Sequence, residues 1–429
     1  MNFSNDDFIR TTEERHVPSV QALWTRLVER GEIYLGNYGG WYAVSDEAFY
    51  GEDEITIRDG KRYGPSGKEV EWVEEPSYFF RLSAWRERLL AFYEAHPDFI
   101  APETRRNEVL SFVRGELRDL SVSRTTFKWG IPVPNDPAHI MYVWIDALTN
   151  YITATGFPDE GLESYRAFWP ADLHLVGKDI LRFHAVYWPA FLLAAELPVP
   201  HRVFAHGWWT NEGQKISKSL GNVIVPSELV ARYGLDPVRY FLLREAHFGQ
   251  DGDFSHAAMV RRTNTDLAND LGNLAQRSLS MIQKNCGAAV PTPGPFTAAD
   301  DKLLDDAAAL LPMLRQAFAG QLFNRGLEQV WQVVGDANRY IDAQAPWTLK
   351  KTDPARMATV LYVLAETVRH LAIVVQPFMP HAAAKLLDQL ALPADARSFA
   401  AFDRALTAGT PLPPPQGLFP RYVEAETAA

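Results

Sequence analysis

The centre of the chain reads Phe204-Ala-His-Gly-Trp-Trp-Thr-Asn-Glu-Gly-Gln-Lys-Ile-Ser-Lys-Ser219. An apolar strand leads into a polar turn and then into a short basic loop that carries Lys215 and Lys218. Two ammonium groups on flexible stems, together with the hydroxyls of Ser217 and Ser219, can follow the negative charge that develops on a polyphosphate. The pattern predicts a phosphate-binding loop, and a solvated surface turn is the alternative for an isolated Lys-Ser cluster.

Apolar runs at 140–145, 172–176 and 202–206 lie upstream of this loop, and a turn or a helix follows each of them. This alternation is typical of a parallel sheet with crossover helices, whose ligands bind beyond the carboxyl ends of the strands. Trp144 and Gly177 fall at two of those ends. The sequence therefore predicts an α/β fold with a Rossmann-like parallel sheet.

The loop resembles the Lys-Met-Ser-Lys-Ser signature of class I aminoacyl-tRNA synthetases, with Ile in place of Met. Other stretches resemble the methionyl-tRNA synthetase family in particular. Its amino-acid pocket and the following strand-turn-helix are similar to 142–151 and 175–184. Its anticodon-reading positions and the end of its helical domain are similar to Asn273-Leu-Ala-Gln-Arg277, Gln344-Ala-Pro-Trp347 and Leu418-Phe-Pro-Arg421. The resemblance covers nearly the whole chain, in the family's order.

A methionine pocket needs aromatic walls near the polarizable sulfur rather than charges. Taken alone, Trp144 and Tyr151 are more often core aromatics, and His184 is more often a core histidine. Their joint occurrence in family order favours a pocket. The resemblance implies that methionine binds to Trp144, Ala147, Leu148, Tyr151, Ile180, Phe183 and His184.

The turn Gly177-Lys-Asp179 follows an apolar strand and opens a helix. A small residue there lets the backbone approach a nucleotide, and a carboxylate can accept hydrogen bonds from ribose hydroxyls. A plain helix cap is the alternative. The resemblance gives no support to a metal site made by His174, Asp179 and His184. It implies that ATP, with its Mg²⁺, contacts Gly177, Asp179, His206, Gly207, Lys215, Ser217, Lys218 and Ser219, and that Lys215 and Lys218 are catalytic.

Asn273 and Arg277 are four residues apart in a helical stretch, so they share one face. Trp347 follows Pro346 at a helix boundary, where an exposed indole can stack on an unpaired base. A tryptophan buried between helices is the alternative. The resemblance implies that these three side chains read the anticodon of tRNA(Met).

One family feature is missing from the sequence. The His-Ile-Gly-His signature belongs near the start of the fold, and none of the 11 histidines lies in such a context. The N-terminal residues of the chain resemble the segment that follows the first half of that fold in the family. We therefore expect a sheet that is incomplete at its N-terminus and a chain that is inactive in methionine activation. A non-catalytic tRNA-binding remnant is the alternative function.

Composition narrows the class further. The formal net charge of −11 gives no sign of a general nucleic-acid binder, which would usually be basic. Cys286 is the only cysteine, so intramolecular disulfides and a Cys-cluster zinc site are excluded. The apolar runs are too short to span a membrane. We expect a cytoplasmic monomer without a membrane segment or structural zinc.

The sequence predicts four segments. Residues 1–32 and 81–254 form the C-terminal half of the nucleotide-binding domain, and 33–80 form a zinc-less, β-rich connective insertion held by aromatic packing. Residues 255–392 form a helical anticodon-binding domain, and 393–429 form an extended tail. Helices are predicted at 17–31, 82–95, 103–117, 255–285, 299–318, 321–343, 353–376 and 380–390.

Within the synthetases, the leucyl, isoleucyl and valyl enzymes need an editing insertion for which this chain has no room, and the cysteinyl enzyme needs zinc thiolates.

Overall fold

A computed structural model describes residues 1–43, 48–50, 52–115, 117–126 and 128–424. The chain divides into two compact units. The first unit is Phe3–His206, and the second is Gly207–Ala429 together with Met1–Asn2. Each unit buries apolar cores of its own.

The first unit contains a parallel sheet whose strands lie in the order His174–Gly177, Val203–His206, Ile100–Ala101. The strands predicted at 172–176 and 202–206 are thereby confirmed. These short strands form the part of the Rossmann-like sheet that positions the candidate nucleotide residues.

The third predicted strand, at 140–145, is wrong. The strand there is Asp136–Met141, which pairs antiparallel with Ser123–Arg124 and Pro132–Val133, and a helix begins at Val143. The apolar run combines the buried end of that strand with the first turn of the helix, in which Val143 is exposed and Ile145 is buried. A short apolar run cannot by itself distinguish a strand from a helix.

The connective insertion is β-rich, as predicted. Ile33–Ala43 pairs antiparallel with Glu71–Phe80 along the whole hairpin. At its far end Trp41 and Trp72 meet edge to face, with ring centroids 5.3 Å apart, and the Arg62 guanidinium lies 4.3 Å from the Trp41 ring. The remaining strands of this region are Ala48–Tyr50, Thr56–Arg58, Lys61–Tyr63 and, beyond the insertion, Leu120–Ser121.

Six α-helices surround the sheets among the described residues of the first unit. The helix His16–Glu29 buries Val20, Leu23, Trp24 and Leu27 on one face, which is the spacing that predicted it. The predicted helices at 17–31, 82–95 and 103–117 are confirmed, with shorter ends and with a 3-10 turn at Leu82–Trp85. The six are His16–Glu29, Arg86–Ala95, Glu103–Arg114, Val143–Thr153, Glu163–Phe168 and Trp188–Ala194.

The second unit opens with a small β-hairpin, Trp209–Asn211 and Gln214–Lys215, and Gly252–Phe254 runs parallel to its first strand. Two helices follow the basic loop, Pro226–Tyr233 and Leu235–Arg244. Pro226 at the first helical position supplies a φ that suits a helix start, as the sequence indicated.

The helical part of the second unit confirms the predicted bundle. The helix predicted at 255–285 is π-helical over Thr263–Gly272, and the short helix Pro346–Thr352 was not predicted. The helix predicted at 299–318 is split at Ala309 into two. Pro312 lacks the N–H that would bond to the Ala308 carbonyl, so the first helix ends there. The helical segments are His256–Arg262, Thr263–Gly272 (π-helical), Asn273–Asn285, Ala298–Ala308, Leu310–Ala319, Phe323–Gln344, Pro346–Thr352, Pro354–Val374 and Pro380–Gln389.

One described helix, Pro354–Val374, is long and apolar enough to cross a membrane by length and composition, so the expectation that the apolar runs are too short is wrong for this segment. Nearly all of its side chains from Met357 onward are buried inside the bundle. That burial is typical of the central helix of a protein core and is weak evidence for a membrane span.

The C-terminal segment is extended and packs on the bundle, as its prolines suggested. The Leu412 N–H donates to the Ala288 carbonyl at 2.7 Å. Asn264 holds Tyr422 by accepting from its N–H at 2.7 Å and donating to its carbonyl at 3.1 Å. The short 3-10 turns Ala394–Ala396 and Phe399–Ala401 interrupt the segment.

Candidate active site and anticodon surface

Aromatic side chains meet in the first unit between the helix Val143–Thr153 and the π-helical turn after Ile180. Trp144 and Phe183 stack with ring centroids 3.6 Å apart and an interplanar angle of 9°. The Tyr151 hydroxyl lies 2.7 Å from Nε2 of His184. Nδ1 of His184 lies 2.9 Å from the Ile180 carbonyl. Because that carbonyl can only accept, Nδ1 carries the proton and Nε2 accepts from Tyr151.

The structure corrects the secondary-structure element to which Trp144 was assigned. Trp144 does not lie at a strand end, because it belongs to the first turn of the helix that also carries Tyr151. Ala147, Leu148 and Tyr151 follow Trp144 by three, four and seven residues. All four side chains therefore share one face of the helix. Trp144, Tyr151 and Phe183 are half-buried, whereas Leu148 and His184 are buried. The result is an apolar wall with one polar pair, which suits a thioether side chain.

His174 is a member of this cluster that sequence reasoning did not assign to the pocket. It is 3 % exposed, and its ring stacks on Tyr151 with centroids 4.0 Å apart. Neither ring nitrogen has a hydrogen-bond partner among the described residues. Its only sequence signal is the inward position at the start of a strand with alternating burial.

Burial sets the protonation of the cluster. It lowers the pKa of His174 to about 3 and lowers the pKa of His184 as well. It also raises the pKa of Tyr151 to about 12. At neutral pH the two imidazoles and the phenol are therefore uncharged, which is the state that an apolar ligand requires. Among the described residues no three His, Cys, Asp or Glu side chains are grouped so that they could hold a metal ion.

The candidate nucleotide residues of the first unit lie at the carboxyl ends of adjacent parallel strands. Gly177 and His206 are register partners across the two strands. A Cβ atom at Gly177 would lie only 2.5 Å from Oδ1 of Asp179, so the Asp179 carboxylate can fold over this backbone only because the residue is glycine. The structure thus brings Gly177, Asp179 and His206 together, as predicted for the edge of the sheet where nucleotides bind.

Gly207 opens the second unit. A Cβ atom there would lie 2.3 Å from the carbonyl carbon of Gln250, so no other residue fits this close approach of two backbones. The next residue, Trp208, donates its N–H to Oδ1 of Asp251 at 2.9 Å. These contacts fix the entry to the basic loop.

The basic loop is anchored by Asn222, a residue that sequence reasoning missed. Its Oδ1 accepts the Ser217 N–H at 2.8 Å, and its Nδ2 donates to the Lys215 carbonyl at 3.0 Å. Lys215 and Lys218 are exposed, and Nζ of Lys215 lies 5.8 Å from the centroid of the Trp208 ring. The side chain of Ser219 lies outside the described part of the chain. An anchored backbone with two exposed ammonium groups suits a loop that closes on phosphate.

The three candidate anticodon residues lie on the helical part of the second unit. Trp347 is 41 % exposed rather than buried between helices, and the Arg277 guanidinium carbon lies 5.5 Å from its ring centroid. Nη2 of Arg277 also donates to Oδ1 of Asp342 at 2.6 Å. Asn273 is exposed four residues before Arg277 and lines a neighbouring cavity of about 340 Å³ with Arg421. Sequence reasoning predicted the individual residues but not the contact between Arg277 and Trp347.

A further cavity of about 510 Å³ lies at the start of the helix that carries Trp144. Arg124 enters it, with its guanidinium carbon 4.7 Å from the Tyr142 ring centroid. Nη1 of Arg124 is held by the Ser121 hydroxyl at 2.6 Å and the Ser123 carbonyl at 2.7 Å. An arginine beside a helix N-terminus suits an anionic group, and the sequence alone gave no signal for it. The lining residues are Arg124, Trp129, Gly130, Met141, Tyr142, Val143 and Asp146.

Comparison with known proteins agrees with this geometry. A family model described as tRNA synthetases class I (M) matches residues 1–279. A second model, described as the anticodon binding domain of methionyl tRNA ligase, matches residues 290–429. A Rossmann-like domain followed by a helical domain is thus the architecture of a class I tRNA synthetase.

Individual relatives narrow the family. The methionine–tRNA ligase of Brucella suis is 62 % identical over 428 residues, which are 99 % of this chain and 83 % of that protein. That of Mycobacterium tuberculosis is 56 % identical over 427 residues, 98 % of this chain and 82 % of that protein. The solved Mycobacterium tuberculosis methionyl-tRNA synthetase in complex with methionyl-adenylate matches with a TM-score of 0.93 and 55 % identity, over 98 % of this chain and 84 % of that one. The chain belongs to the methionyl-tRNA ligase family.

Proposed function

We infer that this chain is a methionine–tRNA ligase, which activates methionine with ATP and passes the methionyl group to the 3′ end of tRNA(Met). The observation that carries the inference is the uncharged aromatic cluster of Trp144, Tyr151, Phe183 and His184, in a chain whose relatives are methionine–tRNA ligases along nearly its whole length. Those relatives do not favour the alternative of a non-catalytic tRNA-binding remnant. Nor do the comparisons support the expectation that this chain is inactive.

Methionine recognition rests on the walls of that cluster. The stacked rings of Trp144 and Phe183 offer a polarizable surface to the thioether, and Ala147, Leu148 and Ile180 extend it. The proton of the Tyr151 hydroxyl and the Nε2 lone pair of His184 are already paired with each other, so this pair offers no charged partner to a hydrophilic side chain. An amino acid with a charged side chain would lose its hydration without gaining a partner.

Activation needs no covalent nucleophile from the protein. An oxygen of the methionine carboxylate attacks the α-phosphorus of ATP, the bond to the β-phosphate oxygen breaks, and pyrophosphate leaves with that electron pair. Gly177, Asp179, His206 and Gly207 hold the adenosine, while Ser217 and Ser219 line the phosphates beside the lysines. Lys215 and Lys218, with the Mg²⁺ that accompanies ATP, stabilise the charge that develops on the phosphates.

The helical part of the second unit recognises the tRNA. An unpaired anticodon base stacks on the exposed face of Trp347, while Arg277 and Asn273 hydrogen-bond to base edges. The domain boundaries that go with these roles are 1–32 and 81–254 for catalysis, 33–80 for the insertion, 255–392 for anticodon binding and 393–429 for the tail. We place this work in the cytoplasm, in keeping with a chain that has one cysteine.

The test is methionine-dependent ATP–pyrophosphate exchange. We expect exchange with methionine and none with leucine, isoleucine or valine, because the pocket is shaped by aromatic faces rather than by aliphatic branches. Binding of tRNA(Met) without any exchange would instead support the non-catalytic alternative.

A further inference from the structure

A buried carboxylate links three helices in the bundle. Asp300 is completely buried, and its two oxygens accept both terminal nitrogens of Arg356, at 2.5 and 2.8 Å. The Tyr340 hydroxyl donates to the same carboxylate, as do the N–H and hydroxyl of Thr297 at 2.8 and 3.0 Å. Burial opposes ionisation, but these hydrogen bonds outweigh it and hold the pKa of Asp300 well below its usual range.

The Arg356 guanidinium has a second partner. Nη2 also donates to Oε1 of Gln344 at 2.8 Å. Gln344 is the last residue of the helix Phe323–Gln344, so Arg356 ties the end of this helix to the buried carboxylate. One planar guanidinium can serve both partners because its donors point in fixed directions.

The turn that follows Gln344 carries Trp347. Ala345 adopts a left-handed conformation with φ of 45°, which is strained for any residue with a Cβ atom. Pro346 is buried, and the next residue, Trp347, is 41 % exposed on the surface. A strained turn of this kind persists only where the surrounding structure fixes it.

We propose that Gln344 and Arg356 are positioning residues for tRNA binding, which hold the Ala345 turn so that the Trp347 ring is presented to an anticodon base. The proposal rests on the proposed function, since it assumes that Trp347 stacks on RNA. Neither residue needs to touch the RNA. Without the Gln344–Arg356 hydrogen bond, the turn can relax and the indole samples orientations that do not stack.

Three variants separate this positioning role from a purely structural one. Gln344→Ala breaks the link to the turn but leaves the Asp300–Arg356 pair in place. Tyr340→Phe removes a hydrogen bond from Asp300 but leaves the link to the turn. Gln344→Glu keeps a side-chain oxygen that accepts from Arg356.

The probe is a synthetic RNA hairpin with the methionine anticodon CAU in its loop, and its dissociation constant is measured by fluorescence anisotropy with the full chain. A hairpin with another anticodon is the control ligand. We expect Gln344→Ala to weaken CAU binding about threefold to tenfold, part of the roughly fivefold to 150-fold that a stacked base is worth. Its thermal midpoint should stay near that of the unmodified chain.

The matched variants should behave in the opposite way. Tyr340→Phe should lower the thermal midpoint while CAU binding is retained, and Gln344→Glu should recover most of the affinity. In a Trp347→Ala background, Gln344→Ala should have no further effect on binding, because the two act through one contact.

Unchanged affinity in Gln344→Ala would overturn the proposal, and so would an equal loss in the Trp347→Ala background. If the unmodified chain bound neither hairpin, or bound both equally, the proposed function in tRNA recognition would fail first, and this proposal with it.

Discussion

The buried side chain of His174, which stacks on Tyr151 of the aromatic cluster, should make the stability of the chain depend on pH. His174 has a pKa of about 3 in the folded chain, against an ordinary value of 6.5. Its folded pKa is depressed, so the unfolded chain binds the proton more tightly and stability falls as the pH is lowered. The stabilisation is fully present above pH 6.5 and is lost progressively between 6.5 and 3.

The magnitude follows from these two values. Between about pH 8 and about pH 5 the unfolded imidazole becomes almost fully protonated while the folded one does not, which costs about 2 kcal/mol of unfolding free energy. His174→Phe keeps a ring that can stack on Tyr151 and removes the titration. It also removes two buried nitrogens without partners among the described residues, so we expect no loss of stability at about pH 8.

The assay is urea unfolding followed by tryptophan fluorescence at both pH values. Between the two pH values the unmodified chain should lose about 2 kcal/mol more than the His174→Phe variant. Val176→Ala, on the same strand, is the matched control: it removes buried apolar atoms and should lower stability equally at both pH values. An identical pH dependence with and without His174 would show that this imidazole does not control the pH dependence of stability.

Four further outcomes are expected. Lys215→Ala and Lys218→Ala should each raise the barrier to methionine activation by about 3 kcal/mol with little change in methionine affinity, measured by exchange kinetics and equilibrium dialysis; equal losses in both would contradict a role on phosphate. Trp347→Ala should weaken tRNA(Met) binding by about 1–3 kcal/mol and leave adenylate formation unchanged, whereas a parallel loss in exchange would mark a core residue. Asn222→Ala should slow exchange without lowering the thermal midpoint, because the basic loop loses its anchor; normal rates would show that the anchor is dispensable. Elemental analysis after a mild chelator wash should find no zinc, and a stoichiometric amount would contradict the zinc-less insertion.

Much of the architecture could be predicted because local patterns determine it. The His16–Glu29 helix follows from its apolar spacing, and the parallel strands follow from apolar runs that each precede a turn. At 140–145 one apolar run covers the end of a strand and the start of a helix, so the run does not show where one element ends and the next begins. For this reason Trp144 was assigned to a strand instead of a helix. The break at Ala309 was not predicted because the helical pattern of apolar residues continues across it. Only Pro312 indicates that the helix is interrupted.

The candidate site was predictable as a set of residue types but not as a set of contacts. Family order pointed to Arg277 and Trp347, but only the packing of two helices shows that the guanidinium lies beside the indole. Asn222 gave no sequence signal, and the strand position of His174 predicts burial but not a role, because an anchor of a loop and a ring behind a pocket wall have no characteristic spacing. Such roles arise from tertiary contacts that sequence periodicity does not encode.

The most direct test of the whole account is the charging of tRNA(Met) with labelled methionine by this chain in the presence of ATP and Mg²⁺. We expect label to enter tRNA(Met), and we expect a tRNA(Met) with an altered anticodon to be charged much more slowly, because its loop is not held by Trp347 and Arg277. Tight, anticodon-dependent binding of tRNA(Met) with no transfer of methionine would contradict the assignment as a ligase.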